Sequence, residues 1–566
     1  MHKWRTLSIT KPTMKAAWWK EAVVYQIYPR SFMDSNGDGI GDINGITQKL
    51  DYLKDLGVDV LWLSPIFESP DDDNGYDISD YCAIMEKFGT MEDFDHLLDQ
   101  AHEKGLKIIL DLVVNHTSDE HRWFQSSRSD RNSPYRDFYF WREEQPSNWL
   151  SFFGGEAWEY DAETSAYYLH LFSKKQPDLN WENETVRQEV YEMMHFWLKK
   201  GVDGFRMDVI PMISKYLNFP YIDTNDFVGA IENTYTNGPR LHEFLSEMNK
   251  QVLSHYDIMS MGEGIGIKPE QGNLYTDPDR KELQMIYHFD HMSLDWGKGG
   301  KFDPQEWKLT DFKRIFREWH QELGDKGWIT TFLDNHDFPR MVSRFGNDVD
   351  YRELSAKLLA TLLCTLRGTP CFYQGSEIGM TNVAFESVDQ YRDIESVNKI
   401  KEYEQSNGDL EMLKPILQKV SRDNARTPMQ WSDEMHGGFS TAQTTWIDSN
   451  PNYLKINVEA NLTTENSVLH YYKSAIQLRK NHPTLVYGDF LEYAQESESL
   501  YLYRRWDSNG DYLILLNFSD ELHALPEEVK AIAQTEKLLG NYLKESEKEG
   551  IIRPWEALVY RINPTD

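Results

Sequence analysis

Short apolar runs alternate along most of the chain with segments in which apolar residues recur at every third or fourth position. The runs are typical of buried parallel strands, and the recurring spacing is typical of helices that bury one face. The first helical segment shows this spacing in Ile43, Ile46, Leu50, Leu53 and Leu56. The alternation predicts an α/β protein with a parallel sheet.

Eight apolar runs have the length and composition of such strands. They cover residues 23–29, 58–64, 107–114, 204–209, 257–263, 284–290, 328–334 and 369–374. Helical segments lie between them, such as the one from Met91 to Gly105 and the one that carries Phe312 and Leu323. Eight parallel strands separated by helices close into a (β/α)₈ barrel, also called a TIM barrel, and we predict this fold.

Two stretches depart from the alternation. Residues 116–184 are aromatic and polar and are too long for a simple loop, so they predict an inserted subdomain after the third strand. Near the C-terminus, Ser508-Asn509-Gly510 separates two short alternating strands and predicts a hairpin. We therefore divide the chain into a barrel of residues 14–115 and 185–486, subdomain B of residues 116–184, and a C-terminal all-β domain, a β-sandwich, of residues 487–566.

The charge balance limits the partners that the protein can have. Its 566 residues include 92 Asp and Glu against 59 Lys and Arg, for a formal net charge of -33. Such a balance argues against nucleic acid or an anionic membrane as partner and favours a neutral ligand. The 18 Trp and 31 Tyr residues are compatible with a sugar ligand, because flat amphipathic rings stack on sugar faces.

The N-terminus and the cysteines bear on the compartment. Residues 1–12 carry positive charge but no apolar h-region, and no stretch approaches 18 uninterrupted apolar residues. The cysteines, Cys82, Cys364 and Cys371, are few and odd in number, which favours a reducing compartment. We predict a cytoplasmic protein that is a monomer or a weak homo-oligomer.

Two predicted strands end on a carboxylate, Asp208 in one and Glu263 in the other. Barrel enzymes place their chemistry at the carboxyl ends of the strands. A single acid in such a position more often caps a helix or pairs with a base. A third strand leads into Asn335-His336-Asp337, however, and Arg206 lies two residues before Asp208. This combination favours an active site with Asp208 and Glu263 as the central pair.

The segment from Asp34 to Asp42 places oxygen-bearing side chains at alternate positions around a glycine, which resembles the first half of an EF-hand loop. Its twelfth position is Gly45 rather than glutamate and it follows a strand, so it is not an EF-hand. Five acceptors seldom converge unless something neutralises them, and we expect a structural Ca²⁺ or Mg²⁺. The expected ligands are Asp34, Asn36, Asp38, Asp42 and the backbone carbonyl of Ile40. The alternative is an Asp/Gly-rich turn without metal.

Four stretches in combination resemble the signature regions of the α-amylase family of glycoside hydrolases. They are DLVVNH at residues 111–116, GFRMD at 204–208, GE at 262–263 and NHD at 335–337. The resemblance covers nearly the whole chain. It implies that Asp208 is the nucleophile, Glu263 the general acid/base and Asp337 the transition-state stabiliser, and that a further three residues line the same subsite: His116, Arg206 and His336. The chemistry agrees, because retaining glycosidases need one ionised and one protonated carboxyl group.

Within that family the chain is similar to the oligo-1,6-glucosidase and α-glucosidase group. QPDLN at residues 176–180 and RDNARTPMQW at 422–431 resemble segments of that group. The resemblance implies that Asp73 and Tyr76 hold and stack a terminal glucose and that Arg426 is the partner of Asp73. A charged pair that closes one end of a pocket favours exo action. Further residues expected to bind substrate are Gln176, Arg340, Phe153 and Phe172.

Linkage preference depends on residues around the leaving group. Val209, directly after Asp208, resembles enzymes that prefer α-1,6 bonds. The stretch Gly264–Ile267 and Phe338 depart from the pattern of the group, which puts the identity of the substrate in question. We expect an exo-acting retaining α-glucosidase of small oligosaccharides with α-1,6 bonds preferred.

Two other functions compete with this prediction. A sucrose isomerase or transglucosylase would share every catalytic residue, but the RLDRD-type loop of the isomerases is absent and residues 294–296 hold its approximate place. An α-1,4-glucosidase or a sucrose-active hydrolase is a further alternative, because it would use the same fold. A non-catalytic relative of the transporter heavy chains would lack the acids and have a membrane anchor, whereas this chain has the acids.

Overall fold

The computed structural model describes residues 14–532, 534–544, 546 and 548–562. The N-terminal segment from which the absence of a secretory signal was predicted, residues 1–12, lies outside these ranges. Within the described residues no helix is long and apolar enough to cross a membrane.

Eight parallel strands form the central sheet. In chain order they are β1 Val24–Ile27, β2 Val60–Leu63, β3 Lys107–Leu112, β4 Gly204–Met207, β5 Met259–Gly264, β6 Met285–His288, β7 Thr330–Thr331 and β8 Thr369–Tyr373. Their order in the sheet is β6-β5-β4-β3-β2-β1-β8-β7. A parallel bridge between Ile286 and Ile329 joins the two ends and closes the ring. The predicted (β/α)₈ barrel is confirmed.

The longer helices lie between the barrel strands in sequence or follow the last of them. They are Met91–Glu103, Glu184–Lys200, Leu241–Gln251, Leu309–Leu323, Arg352–Thr365, Ile394–Gln405, Leu410–Val420 and Val468–Asn481. The first helical segment is two short helices, Ile43–Gln48 and Leu50–Leu56, because Lys49 between them leaves the helical conformation with φ -103° and ψ 4°. The apolar spacing continues across this break, so the sequence pattern alone does not reveal it.

The seventh strand is shorter than its apolar run. Only Thr330–Thr331 pair with β8, whereas the run predicts a strand to residue 334. Asp334 accepts hydrogen bonds from the Ser376 hydroxyl and the Met341 amide. The chain therefore leaves the sheet before Asp334 and turns toward Asn335-His336-Asp337.

The region between β3 and the helix that begins at Glu184 carries a three-stranded antiparallel sheet of its own. Its strands are Trp141–Arg142, Trp158–Asp161 and Ala166–Leu169, and a helix, Arg122–Ser129, precedes them. A separate apolar cluster connects this region to the loop after β4, with Phe140, Trp149, Trp158 and Val209 among its members. The inserted region therefore packs against the carboxyl end of β4.

The C-terminal region has one five-stranded antiparallel sheet. Its strands are β9 Asp489–Tyr493, β10 Leu500–Trp506, β11 Asp511–Asn517, β12 Gln534–Gly540 and β13 Ala557–Ile562, in the order β9-β10-β11-β13-β12. Alternate residues of β10 face opposite sides, since Tyr501 and Tyr503 join the barrel core while Leu500 and Leu502 join a cluster of this region alone. A second sheet of two strands pairs His523–Ala524 with Ile551–Ile552.

Gly204, at the start of β4, allows the close approach of β4 and β5. It has φ +142°, and a Cβ atom at this position would lie 2.0 Å from the carbonyl oxygen of Met259. We expect Gly204→Ala to lower the free energy of unfolding by about 3 to 5 kcal/mol, because overpacking against backbone adds to backbone strain. Gly324→Ala, which has φ +54° but no atom within 4 Å of the added Cβ, should cost about 1 to 2 kcal/mol. Denaturant unfolding of the two variants measures the difference, and equal losses would contradict the clash.

Candidate active site

Three strand ends bring the predicted acids together. Asp208 follows β4, Glu263 lies near the end of β5, and Asp337 follows β7. Because parallel strands end at the same rim of a barrel, residues far apart in sequence meet there. Asp208 and Glu263 are buried, with 7% and 5% of their surface exposed.

Arg206 contacts both central acids from the middle of β4. One of its terminal nitrogens, Nη1, lies 2.8 Å from Asp208 Oδ1, and the other, Nη2, lies 2.7 Å from Glu263 Oε2. Nη1 also lies 2.6 Å from Asp111 Oδ1, and Nε donates to the hydroxyl of Tyr287 at 2.6 Å. The guanidinium is fully buried. A single cation therefore fixes the relative positions of the two acids.

The environment of Glu263 favours its protonated form. Burial raises the pKa of Glu263 well above its usual value, and although Arg206 opposes this shift, the charges of Asp208 and Asp337 add to it. The Val209 amide donates to Glu263 Oε2 at 2.8 Å. A buried carboxyl group that keeps its proton near neutral pH can act as a general acid.

Val209 has a strained backbone. Its φ of 32° and ψ of 41° lie in the left-handed region, which a β-branched residue seldom adopts. The conformation aims the Val209 amide at Glu263, and the buried side chain packs in the cluster that also holds Trp149 and Met212. Strain of this kind persists only where the surrounding structure holds it, and it is commonest at functional sites.

Asp337 lies among basic residues. Its Oδ1 is 3.0 Å from Arg422 and 3.2 Å from Arg426, and its Oδ2 is 3.1 Å from His336 Nε2. Burial lowers the pKa of His336 to about 3, so this ring is neutral. Burial alone would raise the pKa of Asp337, but the positive surroundings outweigh burial and hold that pKa below its usual value. The site therefore contains one carboxyl group, Asp337, whose surroundings favour ionisation and another, Glu263, whose surroundings favour the protonated form.

His336 is oriented by its neighbours. Gln26 Nε2 lies 2.8 Å from its Nδ1, which leaves the ring proton on Nε2, facing Asp337. The ring stacks on Tyr76 with a centroid distance of 5.1 Å and an interplanar angle of 3°. Tyr76 in turn donates to Asp111 Oδ2 at 3.1 Å.

Asp73 and Gln176 are in contact at the end of the site that is expected to hold a terminal glucose, which we call the closed end of the pocket. Gln176 Nε2 donates to Asp73 Oδ2 at 3.1 Å and lies 3.3 Å from His116 Nε2. Burial raises the pKa of Asp73 to about 7, although Arg422 and Arg426 oppose the shift. Asp73, His116 and Gln176 are buried, and the carbonyl oxygen of Tyr76 links the last two, since it lies 3.1 Å from His116 Nε2 and accepts from Gln176 Nε2 at 3.2 Å.

One predicted pairing is wrong. The ion pair of Asp73 is with Arg422, at 3.3 Å, and not with Arg426. Arg426 instead donates from Nε to the carbonyl of His336 at 2.9 Å and reaches Asp337. Arg426 therefore holds the segment that carries the third acid, while Arg422 spans the pocket end.

Arg340 is not positioned to touch a ligand. Its guanidinium is fully buried and donates to backbone carbonyls, those of Asn424 at 3.3 Å and Ala425 at 3.1 Å among them. Its role in the structure is to anchor the turn that carries Arg422 and Arg426.

The two aromatic residues of the inserted region lie at the side of the pocket. The ring of Phe172 is 5.2 Å from that of His116 and 5.7 Å from that of Phe153. The guanidinium carbon of Arg422 lies 5.2 Å from the centroid of the Phe153 ring. These contacts bring both residues next to the network that holds Asp73.

Sequence reasoning did not single out several residues of this network, namely Asp111, Tyr287, Asp393 and Arg422. Asp111 and Arg422 lie within motifs quoted for the family, DLVVNH and RDNARTPMQW, and so carried a signal. Tyr287 and Asp393 stand in no such motif. Asp393, which lies 2.6 Å from Arg422 Nη2, also caps the helix that begins at Ile394.

The loop from Asp34 to Asp42 lies apart from the three acids. Asp34 accepts hydrogen bonds from three backbone amides and Asp42 caps the helix that begins at Ile43. Among the described residues no three carboxyl, imidazole or thiol groups are arranged as a metal-binding cluster. The available donors are nonetheless all oxygen atoms, the set that a hard cation prefers.

Comparison with known proteins agrees with this geometry. The family described as alpha amylase, catalytic domain, matches residues 26–488. The chain belongs to the α-amylase family.

This α-amylase family member has close relatives over its whole length. It is 56% identical to an oligo-1,6-glucosidase of Parageobacillus thermoglucosidasius, with 97% of this chain and 100% of that protein aligned. It is 53% identical to an oligo-1,6-glucosidase of Bacillus cereus, again over 97% and 100% of the two chains. Among solved structures it resembles an isomaltulose synthase of Klebsiella sp. LX3 with a TM-score of 0.93 and 44% identity, over 97% of this chain and 100% of that one.

The raised pKa of Asp73 predicts a stability effect. The folded protein retains a proton on Asp73 up to about pH 7, above the usual range for aspartate, so ionisation of this group disfavours the folded state as pH rises. Asp73→Asn should therefore raise the free energy of unfolding at pH 8 by about 1 to 4 kcal/mol, since one pKa unit corresponds to roughly 1.4 kcal/mol. The gain should shrink at pH 5.

Denaturant unfolding at the two pH values measures this gain. Asp72→Asn is the matched control, because Asp72 is a neighbour that bonds Ser173 outside the buried network. A gain for Asp73→Asn that is the same at pH 5 and pH 8 would contradict the burial of a protonated carboxyl group.

Proposed function

We propose that the protein is an exo-acting retaining α-glucosidase that hydrolyses terminal α-glucosidic bonds of small oligosaccharides. Asp208 is the nucleophile, Glu263 the general acid/base and Asp337 the stabiliser of the transition state. The observation that carries the proposal is the contact of one buried guanidinium, Arg206, with two carboxyl groups in different environments. Retaining glycosidases need this pair.

The geometry supports a two-step reaction. In the first step Asp208 attacks the anomeric carbon while Glu263 gives its proton to the departing oxygen, which leaves a glucosyl ester on Asp208. In the second step Glu263 takes a proton from water, whose oxygen attacks the same carbon and releases Asp208. The sugar ring carries positive charge in both transition states, and the ionised Asp337 stabilises it.

Exo action follows from the closed end of the pocket. Asp73, Gln176 and Arg422 are linked across that end, and Arg422 is also held by Asp393. Their polar groups suit the hydroxyl groups of a terminal glucose, and a charged pair at one end of a binding site favours exo action.

The preference for α-1,6 bonds is supported by two observations. The relatives named above are oligo-1,6-glucosidases. Val209, the residue that follows the nucleophile, has a strained backbone whose amide donates to Glu263, the proposed general acid/base. A stiff β-branched side chain there discriminates between leaving groups by shape, which is worth about 1 to 3 kcal/mol. A cytoplasmic location and a monomeric or weakly associated state remain predictions.

Asp208→Asn should lower kcat on isomaltose by several orders of magnitude, because it removes the covalent step. Asp257→Asn is the control, since Asp257 is an exposed acid at the opposite end of β5 that bonds Trp18. Proton NMR of the wild-type reaction should show α-glucose first. Initial β-glucose would contradict retention, and internal cleavage of starch would contradict exo action.

Sucrose isomerisation is the second candidate function, favoured by the likeness to the isomaltulose synthase. The two functions differ only in what attacks the glucosyl ester, either water or the released fructose. Incubation with sucrose distinguishes them, because hydrolysis gives free glucose and fructose in equal amounts, whereas isomerisation gives a new disaccharide. A ratio of kcat/KM values on isomaltose, maltose and sucrose that favours isomaltose supports the α-1,6 assignment.

We also propose that the Asp34 to Asp42 loop holds a structural cation, Ca²⁺ or Mg²⁺. The support is the chemistry of the donors, Asp34, Asn36, Asp38, Asp42 and the carbonyl of Ile40, on a loop pinned by the hydrogen bond from the Trp446 amide to the Gly39 carbonyl.

Chelation should lower the melting temperature by several degrees, because a ligand that binds only the folded state stabilises it by mass action. Asp38→Ala should lose both the bound cation, measured by elemental analysis, and the response to chelator. Asp51→Ala, an exposed acid paired with Lys104, is the control. A wild-type protein that contains no cation and does not respond to chelator would overturn the assignment.

A further inference from the structure

Lys215, in the loop after β4, is a buried lysine at the junction of three segments. Its side chain is 0% exposed. Its ammonium group donates to Asn115 Oδ1 and the Met212 carbonyl, both at 2.6 Å, and lies 2.7 Å from Asp178 Oδ2. All three ammonium protons therefore have a partner.

Each of these partners belongs to a segment that carries a residue of the pocket. Met212 ends the short helix that directly follows Asp208 and Val209. Asn115 immediately precedes His116, at the end of β3. Asp178 lies two residues after Gln176. The Nζ atom of Lys215 thus contacts three segments at once: the loop that follows Asp208, the segment after β3 and the inserted region.

Asn115 links Lys215 to the ring of His116 through its side-chain amide. Because its Oδ1 accepts from Lys215, its Nδ2 faces the other way: it donates to Asp178 Oδ2 at 3.2 Å and lies 3.2 Å from His116 Nδ1. A ring whose Nδ1 accepts a hydrogen bond carries its proton on Nε2. His116 Nε2 lies 3.1 Å from the Tyr76 carbonyl and faces the side of the pocket where Gln176 and Asp73 meet.

The charge of Lys215 also matters to this ring. The charged groups that face His116 are Asp208 on β4's end, Asp178 on the inserted region and Lys215 on the loop after β4. Burial lowers the pKa of His116, the two acids oppose that shift, and Lys215 acts in the same direction as burial. Without Lys215, the fully buried Asp178 would face His116 with no cation in contact.

We propose that Lys215 is a positioning residue for glucoside hydrolysis: through Asn115 it fixes the proton of His116 on Nε2, and through Asp178 it holds the segment of Gln176. The inference rests on the proposed function, because His116 and Gln176 matter only if a glucose ring lies between them. Lys215 itself would not touch the substrate. It would act through His116 and Gln176, which are expected to bind it.

Three variants test the proposal. Lys215→Met removes the charge and keeps the length of the side chain. Lys215→Met combined with Asp178→Asn removes both members of the buried ion pair. Lys313→Met is the matched control, because Lys313 is also 0% exposed and its ammonium group also lies near a buried acid. The backbone carbonyls to which Lys313 donates belong to the C-terminal region.

The measurements are kcat and KM on p-nitrophenyl α-glucoside across pH and the melting temperature. Lys215→Met should lower kcat/KM by about 100-fold, the scale of a 1 Å misplacement of a positioning group. The acid limb of its pH profile should move to higher pH by about one unit, because an unpaired Asp178 favours protonation of His116 and a protonated Nδ1 cannot accept from Asn115. The double variant should keep a lowered kcat/KM but return the acid limb to its wild-type position.

A purely structural role gives a different set of results. Lys313→Met should lower the melting temperature without moving kcat/KM or the acid limb, and Lys215→Met would then behave in the same way. If Lys215→Met does not fold, the double variant decides: wild-type kcat/KM in a folded double variant would overturn the proposal. Failure of the proposed function itself is distinguishable, since Asp208→Asn would then retain activity.

Discussion

The active site depends on one buried cation. Arg206 sits in the middle of a barrel strand with Asp111, Asp208 and Glu263 around it and the hydroxyl of Tyr287 on its Nε. Three carboxyl groups around one guanidinium cannot all be ionised in a buried site without a large electrostatic cost. Burial raises the pKa of Asp111 to about 6 and that of Glu263 well above its usual range. The raised pKa of Glu263 is therefore mainly a consequence of burial, to which the neighbouring acids add and which Arg206 opposes.

A second cation has the corresponding role at the closed end of the pocket. Arg422 joins Asp73, Asp337 and Asp393, so the proposed stabiliser of the transition state and the residue proposed to hold the terminal glucose share one partner. Asp393 is also the N-cap of the helix that begins at Ile394. The positions of Asp73, Asp337 and that helix are thereby coupled through electrostatics around the buried side chain of Arg422.

Lys215 extends the same arrangement away from the substrate. Arg206, Arg422 and Lys215 are each buried cations whose partners come from segments distant in sequence. Such pairs add little net stability, since desolvation offsets attraction, but they penalise any arrangement in which a partner is missing. In this protein the buried pairs fix the positions of the loops at the rim of the barrel. The proposed reaction depends on those positions, because the loops carry the site residues.

The sequence by itself determined the barrel strands, the acids at their ends and the family. Each is encoded in a short stretch, which is either an apolar run buried on both faces or a motif of two to six residues. The antiparallel pairing of β10 with β11 was also predictable, because the turn residues Asn509-Gly510 between two short alternating runs indicate a hairpin. The break at Lys49 and the early end of β7 were not, since the apolar spacing continues through both.

What the tertiary structure alone decided was which charges meet. Arg422 and Arg426 are one helical turn apart. Both have the long basic side chain needed to pair with Asp73, yet only Arg422 forms this ion pair. Arg340 follows a signature motif but bonds backbone carbonyls rather than facing the pocket. Asp111 takes its hydrogen bonds from Trp62, Tyr76 and Arg206, three residues on different parts of the chain. Electrostatic partners are chosen by distances of a few ångströms between segments far apart in sequence, and no periodicity or local motif encodes those distances.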